Sequence, residues 1–130
     1  MYEAVTSEIR VRVTPRFLED ESTPDEGRYF WAYTVEISNE GRDTVQLKTR
    51  RWLITDANGR QETVRGPGVV GKTPTLGPGQ SFEYTSGCPL STPSGIMSGS
   101  YQMERADGLM LDVTIPSFSL DSPYAKRIIN

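Results

Sequence analysis

Histidine is absent from these 130 residues, and cysteine occurs once, at Cys88. Without histidine no Ser-His or Cys-His nucleophile pair can form, and the side chain that most often moves protons near neutral pH is missing. Tetrahedral zinc sites built from paired Cys and His are excluded with it. A lone cysteine allows no internal disulfide, which fits a reducing compartment. No apolar run approaches the ~20 residues that would cross a bilayer. Glu3 and Glu8 stand where a secretory signal would need a basic start and an apolar stretch, so a cytoplasmic location is expected. Neither sign of charge dominates: 14 Lys and Arg face 17 Asp and Glu, a net charge of −3. Neither a nucleic-acid backbone nor a membrane surface is therefore expected as a partner. No cofactor is expected either.

Helical periodicity is also lacking, since no window carries an apolar stripe at 3.6-residue spacing and prolines and glycines interrupt the chain throughout. Strand signals take its place. Ile9, Val11 and Val13 alternate with Arg10, Arg12 and Thr14. Tyr29, Trp31, Tyr33, Val35 and Ile37 share one face of a central strand, expected to be buried most deeply at its start. In VQLKTRRWLIT the apolar phase shifts between Leu47 and Trp52, which predicts a β-bulge around Arg50 and Arg51. Asn58-Gly59 predicts a tight hairpin with positive φ at both residues, and Asp107-Gly108 another turn. The expectation is an all-β, antiparallel β-sandwich of immunoglobulin or fibronectin type III character with seven or eight strands. It forms a single domain over 1–123, with a fraying tail at 124–130.

The segment RGPGVVGKT, residues 65–73, spells two phosphate-binding patterns at once. Gly66, Gly68 and Gly71 give G-x-G-x-x-G, and Gly66, Gly71, Lys72 and Thr73 give G-x-x-x-x-G-K-[ST]. Neither has its required setting: Gln61 to Arg65 is no buried parallel strand, and Pro74 to Gly79 cannot continue a helix. A connecting loop is the favoured reading. A weaker functional version remains, in which consecutive backbone N–H groups of Gly66, Gly68 and Gly71 form an anion concavity between Arg65 and Lys72.

Other candidates are less defined. Glu19, Asp20, Glu21, Asp25 and Glu26 form an acidic loop that could hold a hard cation such as Mg²⁺, although the spacing matches no calcium loop. Lys48, Arg50, Arg51 and Trp52 make a basic, aromatic patch, or a charged outer face that blunts edge pairing. Cys88 lacks a neighbouring base and reads as a buried small residue.

The strings RYFWAYTVEI at 28–37, WLITDANG at 52–59, VRGPGVVG at 64–71 and YTSGCPLSTPSGIMSGSYQM at 84–103 resemble the ApaG family of small bacterial proteins, over Met1 to Pro123. The resemblance implies a fibronectin type III-like sandwich, which agrees with the strand pattern. It implies no reaction, only a link to cobalt and magnesium sensitivity and a name taken from the neighbourhood of a diadenosine-tetraphosphate hydrolase gene. Similar domains in eukaryotic F-box proteins imply a protein-interaction module. Two positions depart from the family pattern. Arg51 stands where the family commonly has His before Trp52, and Lys72 where it often has an acidic residue. GPGVVG belongs to the pattern and GKT does not.

The resulting expectation is a non-enzymatic binding module that presents the loops 65–79 and 87–100 to a protein partner or a small anionic ligand. Exposed Val69, Val70, Ile96 and Met97 would be the contacts. Nucleotide or pyrophosphate binding by 65–73 is the alternative, and a homodimer could form through a sheet edge.

Overall fold

The computed structural model describes residues 1–125, and the chain in it is almost wholly strand. In chain order the strands are β1 (Tyr2–Thr6), β2 (Ile9–Phe17), β3 (Tyr29–Asn39), β4 (Val45–Asp56), β5 (Gln61–Pro67), β6 (Thr75–Leu76), β7 (Ser81–Leu90), β8 (Gly95–Arg105) and β9 (Met110–Leu120). Two 3₁₀ turns, Glu19–Glu21 and Pro24–Glu26, lie between β2 and β3. The strands form two antiparallel sheets, one in the order β1-β2-β3-β7 and the other β5-β4-β8-β9, with the short β6 also pairing β4. The all-β sandwich expected from the sequence is the fold observed. No helix among the described residues is long and apolar enough to cross a membrane.

Side-chain alternation along each strand sends one set of residues into the space between the sheets. Ile9, Val11, Val13, Trp31, Tyr33, Val35 and Ile37 come from the first sheet; Val45, Leu47, Trp52, Tyr101, Met103, Val113, Ile115 and Phe118 come from the second. Aromatic rings join the layers: Tyr33 meets Trp52 edge-on at 5.3 Å, and Phe118 lies 5.9 Å from Tyr33 and 6.0 Å from Trp52. Edge-on packing of this kind is worth roughly 0.5–1.5 kcal/mol per pair beyond the area buried. Trp31 donates its indole N–H to the Asp121 carbonyl at 2.8 Å, which settles the one polar atom it carries inward.

Local details differ from the sequence expectation. The bulge in β4 falls between Leu47 and Thr49, at Lys48, and not at Arg50 and Arg51. The extra residue there keeps Leu47 inward and brings Arg50, Trp52 and Ile54 onto the core side behind it. In the β4–β5 hairpin only Gly59 has positive φ, at 82°. The Asp56 carboxylate accepts the N–H groups of Asn58 and Arg60, so a side chain does part of the turning. Burial on β3 is not deepest at its start: Tyr29 is half-buried, and full burial begins at Trp31. The segment 87–100, expected as a loop, is strand except for Ser91 to Ser94. Tyr124, within the expected tail, packs 6.0 Å from Phe17 and 6.2 Å from Tyr29. Residues 126–130 of that tail lie outside the described residues.

The two long sides of the sandwich are built differently. On one, β1 and β9 approach each other: the Thr114 N–H donates to Thr6 Oγ1 at 3.1 Å, and the Ser119 N–H to the Tyr2 hydroxyl at 3.3 Å. On the other, β5 and β7 are the outer strands, and among the described residues no hydrogen bond joins them.

Candidate functional site

The segment 65–73 folds over this open side. The Gly68 N–H donates to the Lys48 carbonyl at 2.9 Å, and Val69 and Lys72 exchange N–H to carbonyl bonds of 2.8 and 2.9 Å. Val70 and Gly71, between them, have φ of 44° and 78°. Positive φ at both central residues is the signature of a type I′ turn. Gly68 is obligatory: its φ is +60°, and an added Cβ would stand 2.3 Å from the Lys72 carbonyl oxygen.

This geometry is that of a connecting turn, the favoured reading of the segment, and at Gly68, Val69 and Lys72 it differs from the weaker one, a phosphate cradle. The N–H groups of Gly68, Val69 and Lys72 are bonded within the protein and do not converge on an anion. The loop turns carbonyls toward a cation. Arg50 Nη1 donates to the Pro67 carbonyl at 2.9 Å and the Gly68 carbonyl at 2.8 Å. Gly66 lets it do so, because a Cβ there would sit 3.0 Å from both terminal guanidinium nitrogens. Gly66, Gly68, Gly71 and Lys72 are therefore brought together at a turn clamped by a guanidinium, where the glycines serve close approach and backbone twist, while Arg65 stands on β5 opposite Arg51.

Beneath the turn lies a hollow of about 370 Å³, walled by Arg50, Val69 and Val70 and floored by Tyr33, Trp52 and Tyr84. A second, of about 260 Å³, continues along the same side past Ser86 and Cys88 to Met97 and shares Tyr33, Arg50 and Trp52 with the first. Hydroxyls gather here. Tyr84 and Tyr101 hydrogen-bond through their phenols, and burial pushes both phenols above their ordinary range. Burial raises Tyr33 as well, with a bond to Ser86 opposing it. Burial pushes the Cys88 thiol up to about 11, so it stays protonated and unreactive near neutral pH.

The expected contact residues separate. Val69 and Met97 are each only 1% exposed and belong to the core, whereas Val70 is 55% and Ile96 51% exposed. Met97 and Ile96 are neighbours on β8, so alternation sends one inward and the other outward. Ile96 stands on the outer face of the second sheet, away from the turn that carries Val70, and the four form no common surface. Trp52 is likewise buried and cannot belong to an outer basic patch. The carboxylates of Glu19, Asp20, Glu21, Asp25 and Glu26 are all exposed. Glu19 accepts from the Tyr124 hydroxyl, and Glu26 lies 3.7 Å from Arg28. Among the described residues no three Cys, Asp or Glu side chains converge on a point where a metal could sit. Sequence reasoning missed the role of Arg50: its inward phase depends on the bulge at Lys48, placed two residues too late.

The model of the ApaG domain family matches residues 19–105. Protein ApaG of Methylobacterium sp. (strain 4-46) and protein ApaG of Bradyrhizobium sp. (strain ORS 278) are each 60% identical over 130 residues, covering 100% of both chains. A crystal structure described as an ApaA protein from Bordetella pertussis matches with a TM-score of 0.87 at 46% identity, over 90% of this chain and 95% of that one. The chain belongs to the ApaG domain family.

Proposed function

We propose that the protein is a non-enzymatic, cytoplasmic binding module whose open β5–β7 side receives an extended segment of a protein partner. The observation that carries this reading is Val70. A β-branched residue at φ 44° costs about 1–2 kcal/mol relative to an ordinary conformation. Being 55% exposed, it recovers little of that by burial. Strain held at an exposed apolar position beside a hollow is what a contact residue looks like. β5 and β7 flank it with backbone N–H and C=O groups that, among the described residues, lack a neighbouring strand, so an added strand can pair there. The tyrosine and serine hydroxyls of the two hollows would then meet its side chains.

The thiol that lines the second hollow, Cys88, stays protonated near neutral pH, which suits a binder better than a nucleophilic enzyme. Any influence on divalent-cation homeostasis, the role implied by the family resemblance, would run through the partner and not through the scattered carboxylates of residues 19–26. The test is a photo-crosslinking side chain at position 70, with a control at exposed Met110 on β9. The reading expects a discrete adduct from position 70 and none from position 110. Adducts at both sites alike, or at neither, would remove its basis. An adduct between two copies of the chain would redirect it to a homodimer formed through the β5 or β7 edge.

A further inference from the structure

Arginines on the outer faces of the two sheets are treated in opposite ways. On the first sheet Arg10 is paired with Glu3 at 2.8 Å and Glu40 at 2.5 Å, and Arg12 with Glu3 at 2.8 Å and Glu36 at 3.5 Å. On the second, Arg51 of β4 stands directly opposite Arg65 of β5 in the ladder. Like charges in that position repel across the shortest side-chain distance a sheet offers. Arg50, next in the chain, points to the opposite face of the sheet, where its guanidinium lies over Gly66. None of the three takes part in an ion pair among the described residues.

Carboxylates are not scarce in a chain with 17 of them and a net charge of −3. Those on the same face are engaged elsewhere: Asp112 accepts from Gln102 Nε2 at 2.8 Å, and Glu104 pairs with Lys48 at 3.8 Å. The row through Arg51 and Arg65 continues only into Ser100 and Thr114. Protection of an edge strand does not explain the pair, because an Arg facing a Glu would blunt the edge equally without repulsion. A shallow hollow of about 600 Å³ lies here, lined by Thr49, the three arginines and Gln102, and no acidic residue borders it.

We infer that Arg51 and Arg65 form a binding site for a phosphate dianion on the outer face of β4 and β5. Guanidinium forks match the oxygens of a tetrahedral dianion, and one such ion neutralises the repulsion between two facing arginines. The site is separate from the open β5–β7 side and does not depend on the reading given to it. It is made of side chains, not of the glycine-loop N–H groups.

Thermal unfolding of the full chain at about pH 8 tests it, with inorganic phosphate titrated against chloride at matched ionic strength. Saturable stabilisation by phosphate is expected in the parent protein. Arg51→Gln and Arg65→Gln should each weaken it about tenfold or more. In low salt without phosphate, the same two variants should unfold at a higher temperature than the parent, because each removes a repulsion. Equal phosphate responses in parent and variants, an acetate response matching that to phosphate, or a lower midpoint of both variants in low salt would each overturn the inference. A glycerol phosphate arm separates the sources: binding equal to phosphate marks the free ion as ligand, and tighter binding marks a phosphate ester. Either result upholds the site.

Discussion

The β1–β9 side and the β5–β7 side of this sandwich face the same problem, how to end two sheets, and solve it differently. On the first, two backbone N–H groups of β9 are met by hydroxyls of β1, and Tyr2 packs 6.0 Å from Phe118. On the second, the outer strands stay apart, and a glycine turn clamped by Arg50 is folded over the gap. The closed side spends its polar groups on itself and has its apolar rings buried. The open side keeps a strained exposed valine, a charged group held by carbonyls and a set of hydroxyls beside two hollows. The contrast separates architecture from a surface available for contact.

The comparison can be broken from the closed side first. Phe118→Ala should cost about 3–5 kcal/mol, read by chemical denaturation, because Phe118 packs against Tyr2, Tyr33 and Trp52. A loss below about 1 kcal/mol would mean that this side is not a rigid frame. Gly68→Ala attacks the open side, where positive φ and the Lys72 carbonyl leave no room for a methyl group. A loss of about 1–3 kcal/mol is expected, accompanied by faster hydrogen exchange at Val69 and Lys72 but not on β9.

Two pH limbs sharpen the contrast with smaller effects. Asp107, at the β8–β9 turn, is held down to about 2 by its hydrogen bond from Arg105. A carboxyl depressed on folding adds stability above its unfolded value near 4 and loses it as pH falls toward 2, so Asp107→Asn should flatten the acid limb. Cys88 on the open side is raised to about 11, so its contribution is present below about 9 and is lost as pH rises through 11. Cys88→Ala should flatten that alkaline limb and leave the acid limb unchanged.

Much of the frame was legible in the sequence. Alternation in Ile9–Val13 and Tyr29–Ile37 located β2 and β3, and Asp107-Gly108 located the last hairpin, because period-2 burial and turn chemistry are local properties. The open side was not legible. Whether Arg50 points in or out hangs on a one-residue bulge at Lys48, and such a shift moves every later side chain to the other face. The G-x-G-x-x-G string was visible, yet the same glycines admit a carbonyl-lined clamp as readily as an N–H cradle. No local rule predicts valine at φ 44°, since the type I′ turn calls for Asn or Gly there. Met97 lies in the segment 87–100 that the sequence reading takes as a loop, whereas β4 and β9 hold it as a strand between them.

The central claim, that the open side is kept for contact at the expense of stability, is tested most directly by Val70→Asn. Asparagine ahead of Gly71 is the favoured pair for a type I′ turn. The account predicts that this variant gains about 1 kcal/mol of stability and that crosslinking to the partner from a neighbouring position on the turn is lost. A variant that loses stability, or one that gains it with crosslinking unchanged, would contradict the account.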